Sequence, residues 1–158
     1  MLRRVVPADN SCLFRCVGLA LEGSSFCKPA QLREVVASAV ESGLFSEAML
    51  GKPPGEYARW IRDPAHWGGG IELSVLATHY KTMLCAFDVQ TCRVDIFGQD
   101  GGFRQRAMLI YDGLHYDYVA RVLFDGAPAE LDVTVFDQDD STAMAHAHAL
   151  VAEVRRGR

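Results

Sequence analysis

The feature that most limits the fold is a change of period near residue 80 of this 158-residue chain. Before it, apolar residues recur at helical spacing; after it, they come in short β-type runs cut by glycine and aspartate turns. Asp9-Asn10-Ser11 supplies consecutive N-cap residues ahead of an apolar segment over 12–21, which predicts a helix with Cys12 in its first turn. A second helix opens at Pro29, carries Leu32, Val35, Val36, Ala39 and Val40 as a core stripe and ends at Gly43. Shorter helices are predicted over 46–50 and 56–61, separated by Pro53-Pro54-Gly55, and a core helix over 71–80. Strands are predicted over 83–89, 93–97, 107–111 and 116–122, with 131–136 as an added edge strand. An Ala-rich stretch over 143–154 reads as a terminal helix, docked or loosely attached. Helices first and strands later imply an α+β domain, its central sheet mixed or antiparallel and packed between helices.

The length suits one domain with a core large enough to stand without disulfides or a structural metal. Five cysteines, at 12, 16, 27, 85 and 92, are an odd number with no Cys-x-x-Cys pair, which fits neither a disulfide framework nor a zinc ribbon. Reduced thiols, a cytoplasmic and also nuclear location, and no cofactor or metal are the expectations. The net charge of -4 and a basic cluster confined to Arg155, Arg156 and Arg158 argue against a nucleic-acid partner. No apolar run approaches a bilayer span and Met1-Leu2-Arg3-Arg4 leads into no signal core, so no membrane association or export is expected, and a monomer is the default.

Two places carry chemistry. A cysteine at a helix N-terminus has its thiolate favoured by the macrodipole and by free backbone N–H groups, which makes Cys12 a candidate low-pKa nucleophile. The same turn offers oxyanion donors, from Ser11 and Cys12 or from Asp9 and Asn10. The alternative is a buried structural cysteine. Downstream, Leu109-Ile110-Tyr111-Asp112-Gly113-Leu114-His115-Tyr116-Asp117 reads as strand, turn, strand. Residues two apart on a strand share a face, so Asp117 is placed to orient the His115 imidazole. A thiolate, a base and a group that fixes the base are what a thiol hydrolase requires. Otherwise His115 and Asp117 are polar residues beside a turn.

Asp9-Asn10-Ser11-Cys12-Leu13-Phe14 resembles the nucleophile motif of ovarian tumour (OTU) deubiquitinases. Trp67-Gly68-Gly69-Gly70-Ile71-Glu72-Leu73-Ser74 resembles the central Trp-Gly-Gly segment of that family, and the 109–117 block its ending in a His-x-Asp pair. The three blocks stand in the family's order. Phe87-Asp88-Val89-Gln90-Thr91 with the 112–117 block is similar to the subgroup associated with the valosin-containing AAA unfoldase. The resemblance implies a papain-like fold and a protease for ubiquitin and polyubiquitin chains, with Cys12 as nucleophile, His115 as base and acid, and Asp117 polarising it. It further implies Asp9 as a shaper of the oxyanion loop, an AAA unfoldase complex as partner in a longer context, a catalytic domain over 1–140, and 141–158 as a C-terminal helix and tail belonging or appended to it. The subgroup's N-terminal ubiquitin-like module and C-terminal zinc finger have no counterpart in this sequence.

Several residues keep two readings. Trp67 and the following glycines either floor a slot for ubiquitin's Gly-Gly tail, with Gly68, Gly69, Gly113 and Leu114 along it, or form a flexible hinge beside a core tryptophan. Asp9 either shapes the oxyanion loop or caps the helix. Glu72 reads as a buried hydrogen-bonding residue rather than an acid catalyst, and Cys16, one turn past Cys12, as core packing rather than a resolving thiol. His146 and His148, two apart on a helix, face different ways and make a poor metal pair. Rivals to the deubiquitinase reading are a thiol hydrolase for another ubiquitin-like modifier, an inactive ubiquitin-binding module, and an adaptor domain.

Overall fold

The structure is a computed structural model that describes residues 1–26 and 28–157. Cys27 and Arg158, which belong to the thiols and the basic tail of the sequence, lie outside the described residues. Five helices precede the main strands: α1 (Cys12–Glu22), α2 (Pro29–Glu41), α3 (Glu47–Leu50), α4 (Pro54–Arg62) and α5 (Gly70–Tyr80). The strands are β1 (Leu2–Arg4), β2 (Met83–Asp88), β3 (Val94–Phe97), β4 (Gln105–Tyr111), β5 (Tyr116–Ala120) and β6 (Val135–Asp137), and α6 (Ser141–Arg156) closes the described chain.

The strands form one mixed sheet in the order β1-β5-β4-β2-β3, with β6 on the first half of β4. Among the described strands, only β2 and β4 run parallel. Both are nearly continuous apolar runs because the sheet is covered on both faces. Leu84, Ala86, Ala107 and Leu109 face a core shared with α1, α2, α4 and α5. Cys85, Phe87, Met108 and Ile110 alternate onto the other face, where α6 buries Ala143, Ala147 and Val151 at four-residue intervals. The helix is thus docked, and Asp140 caps it by accepting the Ala143 N–H at 2.9 Å.

Two elements differ from the sequence expectation. The strand expected over 131–136 shrinks to β6, which pairs with the first half of β4 while β5 pairs with the second half. Residues 129–131 form a 3-10 turn, and Asp132 leaves the strand line to accept two 2.7 Å hydrogen bonds from the Arg4 guanidinium. Arg4 stands on β1, a strand that three residues of unremarkable pattern did not predict and that pairs Leu2 with Ala120 and Arg4 with Tyr118.

Burial pushes the Cys85 thiol from 9.0 to about 11. The unfolded chain ionises this thiol first, so its contribution to stability is fully present below pH 9.0 and is lost as the pH rises toward about 11. Urea midpoints are expected to fall over that window. In Cys85→Ala the fall should be shallower by up to about 1.4 kcal/mol per pH unit; equal slopes in the two proteins would refute the assignment.

Candidate active site

Cys12 is the first residue of α1 and only 7% exposed. The loop before it is held by Asp9, whose Oδ1 accepts the Ser11 N–H at 2.9 Å and whose Oδ2 meets Arg15 Nε at 3.0 Å. Asp9 therefore builds an Asx turn ahead of the helix and does not cap it. Burial pushes its carboxyl up, but Arg15 and the Ser11 N–H outweigh that and hold it below the ordinary value. This bonding decides which amides are left for an oxyanion. Asp9 N–H is spent on the Pro7 carbonyl at 2.9 Å and Ser11 N–H on Asp9. Cys12 N–H makes only a long 3.4 Å contact with the Asp9 carbonyl, and Asn10 N–H has no partner among the described residues. Of the four candidate donors, Asn10 and Cys12 keep capacity.

The expected lowering of the Cys12 pKa is not seen. Burial pushes the thiol up; the N–H groups of Tyr116 and Leu13 pull it down, and the Asp9 and Asp117 carboxylates add to the rise. The helix N-terminus acts in the expected direction, but desolvation of a thiolate at this depth wins. The sulfur needs a base to ionise, and Cys12 shares its cleft with Tyr116, the residue that follows His115.

His115 is delivered by the turn after β4. Asp112 Oδ1 accepts the N–H groups of Leu114 at 2.9 Å and His115 at 2.8 Å, and Gly113 sits at φ +105°, where a side chain would be strained. His115 Nε2 then bonds Asp117 Oδ1 at 2.7 Å, as residues two apart on one strand face should. A carboxylate can only accept, so Nε2 carries the proton and Nδ1 is the ring nitrogen left with a lone pair. Asp117 is 4% exposed; its Oδ1 also accepts the Val6 N–H at 2.9 Å, and Arg3 Nε lies 3.8 Å from Oδ2.

Beside Cys12 runs a cleft of about 20 Å³, room for roughly one water, lined by Asn10, Leu13, Trp67, Gly68, Tyr111, Leu114 and Tyr116. Tyr111 and Tyr116 stack with centroids 4.4 Å apart. Trp67 and Leu114 stay 53% and 70% exposed at its mouth. A Cβ on Gly68 would lie 3.2 Å from the Phe14 ring, which would have to give by a few tenths of an ångström to admit it. Gly69 and Gly113, expected along the tail slot, are not lining residues: Gly69 caps α5, and Gly113 makes the turn and offers its carbonyl to the Tyr111 hydroxyl at 2.7 Å. Nor is 67–70 a loose hinge. Glu72 is 2% exposed and accepts the Gly69 N–H at 2.7 Å and the Tyr57 hydroxyl at 2.5 Å, which fixes the segment from its far side.

No family model matches the chain. An Arabidopsis thaliana protein named OVARIAN TUMOR DOMAIN-containing deubiquitinating enzyme 2 is 46% identical over 138 residues, which are 86% of this chain and 66% of that protein. A Danio rerio protein named Ubiquitin thioesterase OTU1 is 46% identical over 162 residues, 99% of this chain and 52% of that one. A solved structure described as an ovarian tumour (OTU) domain in complex with ubiquitin matches at a TM-score of 0.85 and 25% identity, over 98% of this chain and 87% of that one. The chain belongs to the OTU family. It spans from about half to two thirds of the length of these curated relatives. The α+β papain-like expectation is met by the OTU fold, with the sheet mixed rather than antiparallel.

In this OTU chain the sequence reading missed two supports of the site. One is Val6, whose contribution is a backbone N–H and so leaves no trace in the side-chain pattern. The other is Arg33, 1% exposed on α2. Its signal was present: residues 33, 36, 37 and 40 are themselves a helical stripe, and with Leu32 they are the buried ones, whereas Val35 and Ala39 are only partly buried. Cys16 is wholly buried, donates its S–H to the Tyr116 carbonyl at 3.2 Å and has its pKa pushed well up by burial, which agrees with a packing role.

Proposed function

We propose that this chain is a ubiquitin-directed thiol protease that cleaves the isopeptide bond after ubiquitin's C-terminal glycine, with Cys12 as nucleophile, His115 as base and acid, and Asp117 orienting and stabilising the imidazolium. The observation that carries the reading is the 2.7 Å His115 Nε2 to Asp117 Oδ1 bond, which leaves Nδ1 for the sulfur at the head of α1. Nδ1 takes the thiol proton as Sγ attacks the carbonyl carbon, and the amides of Asn10 and Cys12 receive the oxyanion. The tetrahedral intermediate collapses with loss of the lysine amine, which takes the proton from His115. Water, losing a proton to His115, then attacks the thioester; the acid is released and Sγ is reprotonated. Every group required belongs to the protein.

The cleft favours a substrate ending without side chains. It holds only about 20 Å³, and the exposed Trp67 and Leu114 stand at its mouth, where an extended backbone would pass between them. We extend the reading to polyubiquitin chains and, on resemblance alone, to an AAA unfoldase assembly and a cytoplasmic and nuclear location. The test is labelling under reducing conditions by ubiquitin carrying a C-terminal electrophile, beside matched probes built on other ubiquitin-like modifiers. A mass gain of one ubiquitin mapped to Cys12 is expected. Labelling by another modifier's probe but not by ubiquitin's would reassign the substrate, and no labelling of a folded chain by any of them would sink the reading.

A further inference from the structure

Arg33 lies on the core side of α2, and among the described residues no carboxylate is bonded to its guanidinium, although Asp63, Glu72 and Asp9 attract it at longer range. It is held instead by neutral oxygens. One terminal nitrogen donates to the Ile61 carbonyl at 2.9 Å and the Asp63 carbonyl at 3.1 Å. The other donates to the carbonyls of His66 at 2.8 Å and Asn10 at 2.9 Å, to Ser11 Oγ at 3.1 Å and, at a longer 3.4 Å, to the Pro64 carbonyl. The guanidinium stacks over the Phe14 ring at 4.6 Å, and Nε has no partner among the described residues. Removing a cation from water for neutral acceptors costs several kcal/mol, and an apolar side chain of the same volume is often as stable in such a place. Stability is therefore a weak explanation for an arginine here, and its partners suggest a better one.

Those partners belong to the two walls of the cleft. Asn10 and Ser11 precede the nucleophile; His66 precedes Trp67, whose indole N–H donates back to Asn10 Oδ1. Arg33, the His66 carbonyl, Trp67 and Asn10 thus close a ring that sets the distance between the walls. The Asn10 carbonyl held on Arg33 is also a carbonyl kept out of the oxyanion pocket. Turned the other way, it would aim a negative dipole at the charge that develops in acyl transfer.

We infer that Arg33 is a positioning residue for this reaction, holding the oxyanion loop and the Trp67 segment in register so that acylation of Cys12 is fast. It touches neither substrate nor sulfur and acts through the Asn10 and His66 carbonyls. The inference rests on Cys12 being the nucleophile of a ubiquitin-directed protease, and the two can fail separately.

The test compares the native chain with Arg33→Lys, which keeps the charge and loses the fork, and Arg33→Met, which keeps the volume without the charge. Four quantities are measured: the thermal midpoint, the affinity for ubiquitin in a Cys12→Ala background, the alkylation rate of Cys12 by iodoacetamide, and the labelling rate by the ubiquitin electrophile. The electrophile is a ubiquitin C-terminal aldehyde, whose addition to Sγ builds up an oxyanion; iodoacetamide alkylation forms none, so the two separate thiol reactivity from acyl-transfer geometry. In whichever variant folds, the labelling rate is expected to fall by about 30-fold or more, with alkylation and affinity within about 3-fold of native, a range of under 1 kcal/mol. Labelling at the native rate in a folded variant would overturn the inference, as would a parallel loss of labelling, alkylation and binding, which is the mark of a structural role alone. Failure of the native chain to label defeats the protease reading, and this one with it.

Discussion

Replacing Cys12 by alanine is expected to lower the rate of ubiquitin release by about 10⁴-fold or more while leaving a folded chain that still binds ubiquitin. The size comes from the chemistry: without the sulfur there is no acyl-enzyme, and water attacks directly with only the oxyanion amides and the cleft to help. The preserved fold comes from the burial. Cys12 is 7% exposed at the head of α1, and alanine there removes one sulfur atom and raises helix propensity. Hydrolysis of ubiquitin bearing a fluorogenic C-terminal amide, read beside a thermal melt, checks both halves. Were activity and the cooperative melt to vanish together, Cys12 would be a core residue and its chemical role unsupported.

Asp117→Asn is the second large effect, and its expected size is about 10-fold to 100-fold in kcat, the 1.5–3 kcal/mol of a hydrogen bond to a charged group. A larger loss, near 10⁴, results when an asparagine turns its NH₂ toward the imidazole and imposes the wrong tautomer. Here that turn is opposed. The same Oδ1 accepts from His115 Nε2 at 2.7 Å and from the Val6 N–H at 2.9 Å, so a flipped amide would set a donor against a second, buried donor. The amide oxygen should stay where Oδ1 is, the tautomer should persist, and the missing charge alone should slow the imidazolium steps. Steady-state kinetics with the fluorogenic amide measure it. A rate equal to native would move the third role to another residue, and a loss near 10⁴ would mean that Val6 does not control the flip.

Much of the site was legible because its parts are local. The 9–12 turn and the 109–117 block each carry their geometry within a few residues, so an N-cap run and a two-residue strand period suffice to place Cys12, His115 and Asp117. The parts that were not legible depend on residues far apart in the chain. The Asp117 donor comes from Val6, 111 positions away, and the carbonyls that satisfy Arg33 lie 23 to 33 positions from it. The Cys12 thiol shows a third kind of gap. A helix N-terminus can be read from sequence, but the depth at which it is buried cannot, and depth reverses the sign of the pKa shift. Within the fold, α2 was placed correctly and Leu32, Val36 and Val40 of its stripe are buried, but Arg33 and Ala37 take the buried flank expected of Val35 and Ala39.

The bond from the Val6 amide to Asp117 gives the protein an indicator of its own chemical state. That amide proton rests on the carboxylate oxygen that faces the imidazole, at the end of the segment leaving β1, so its nuclear magnetic resonance frequency should move whenever charge on the ring changes. A single resolved peak in a nitrogen-proton spectrum can therefore follow imidazole titration, acylation and thioester hydrolysis without a label on the sulfur or on the histidine.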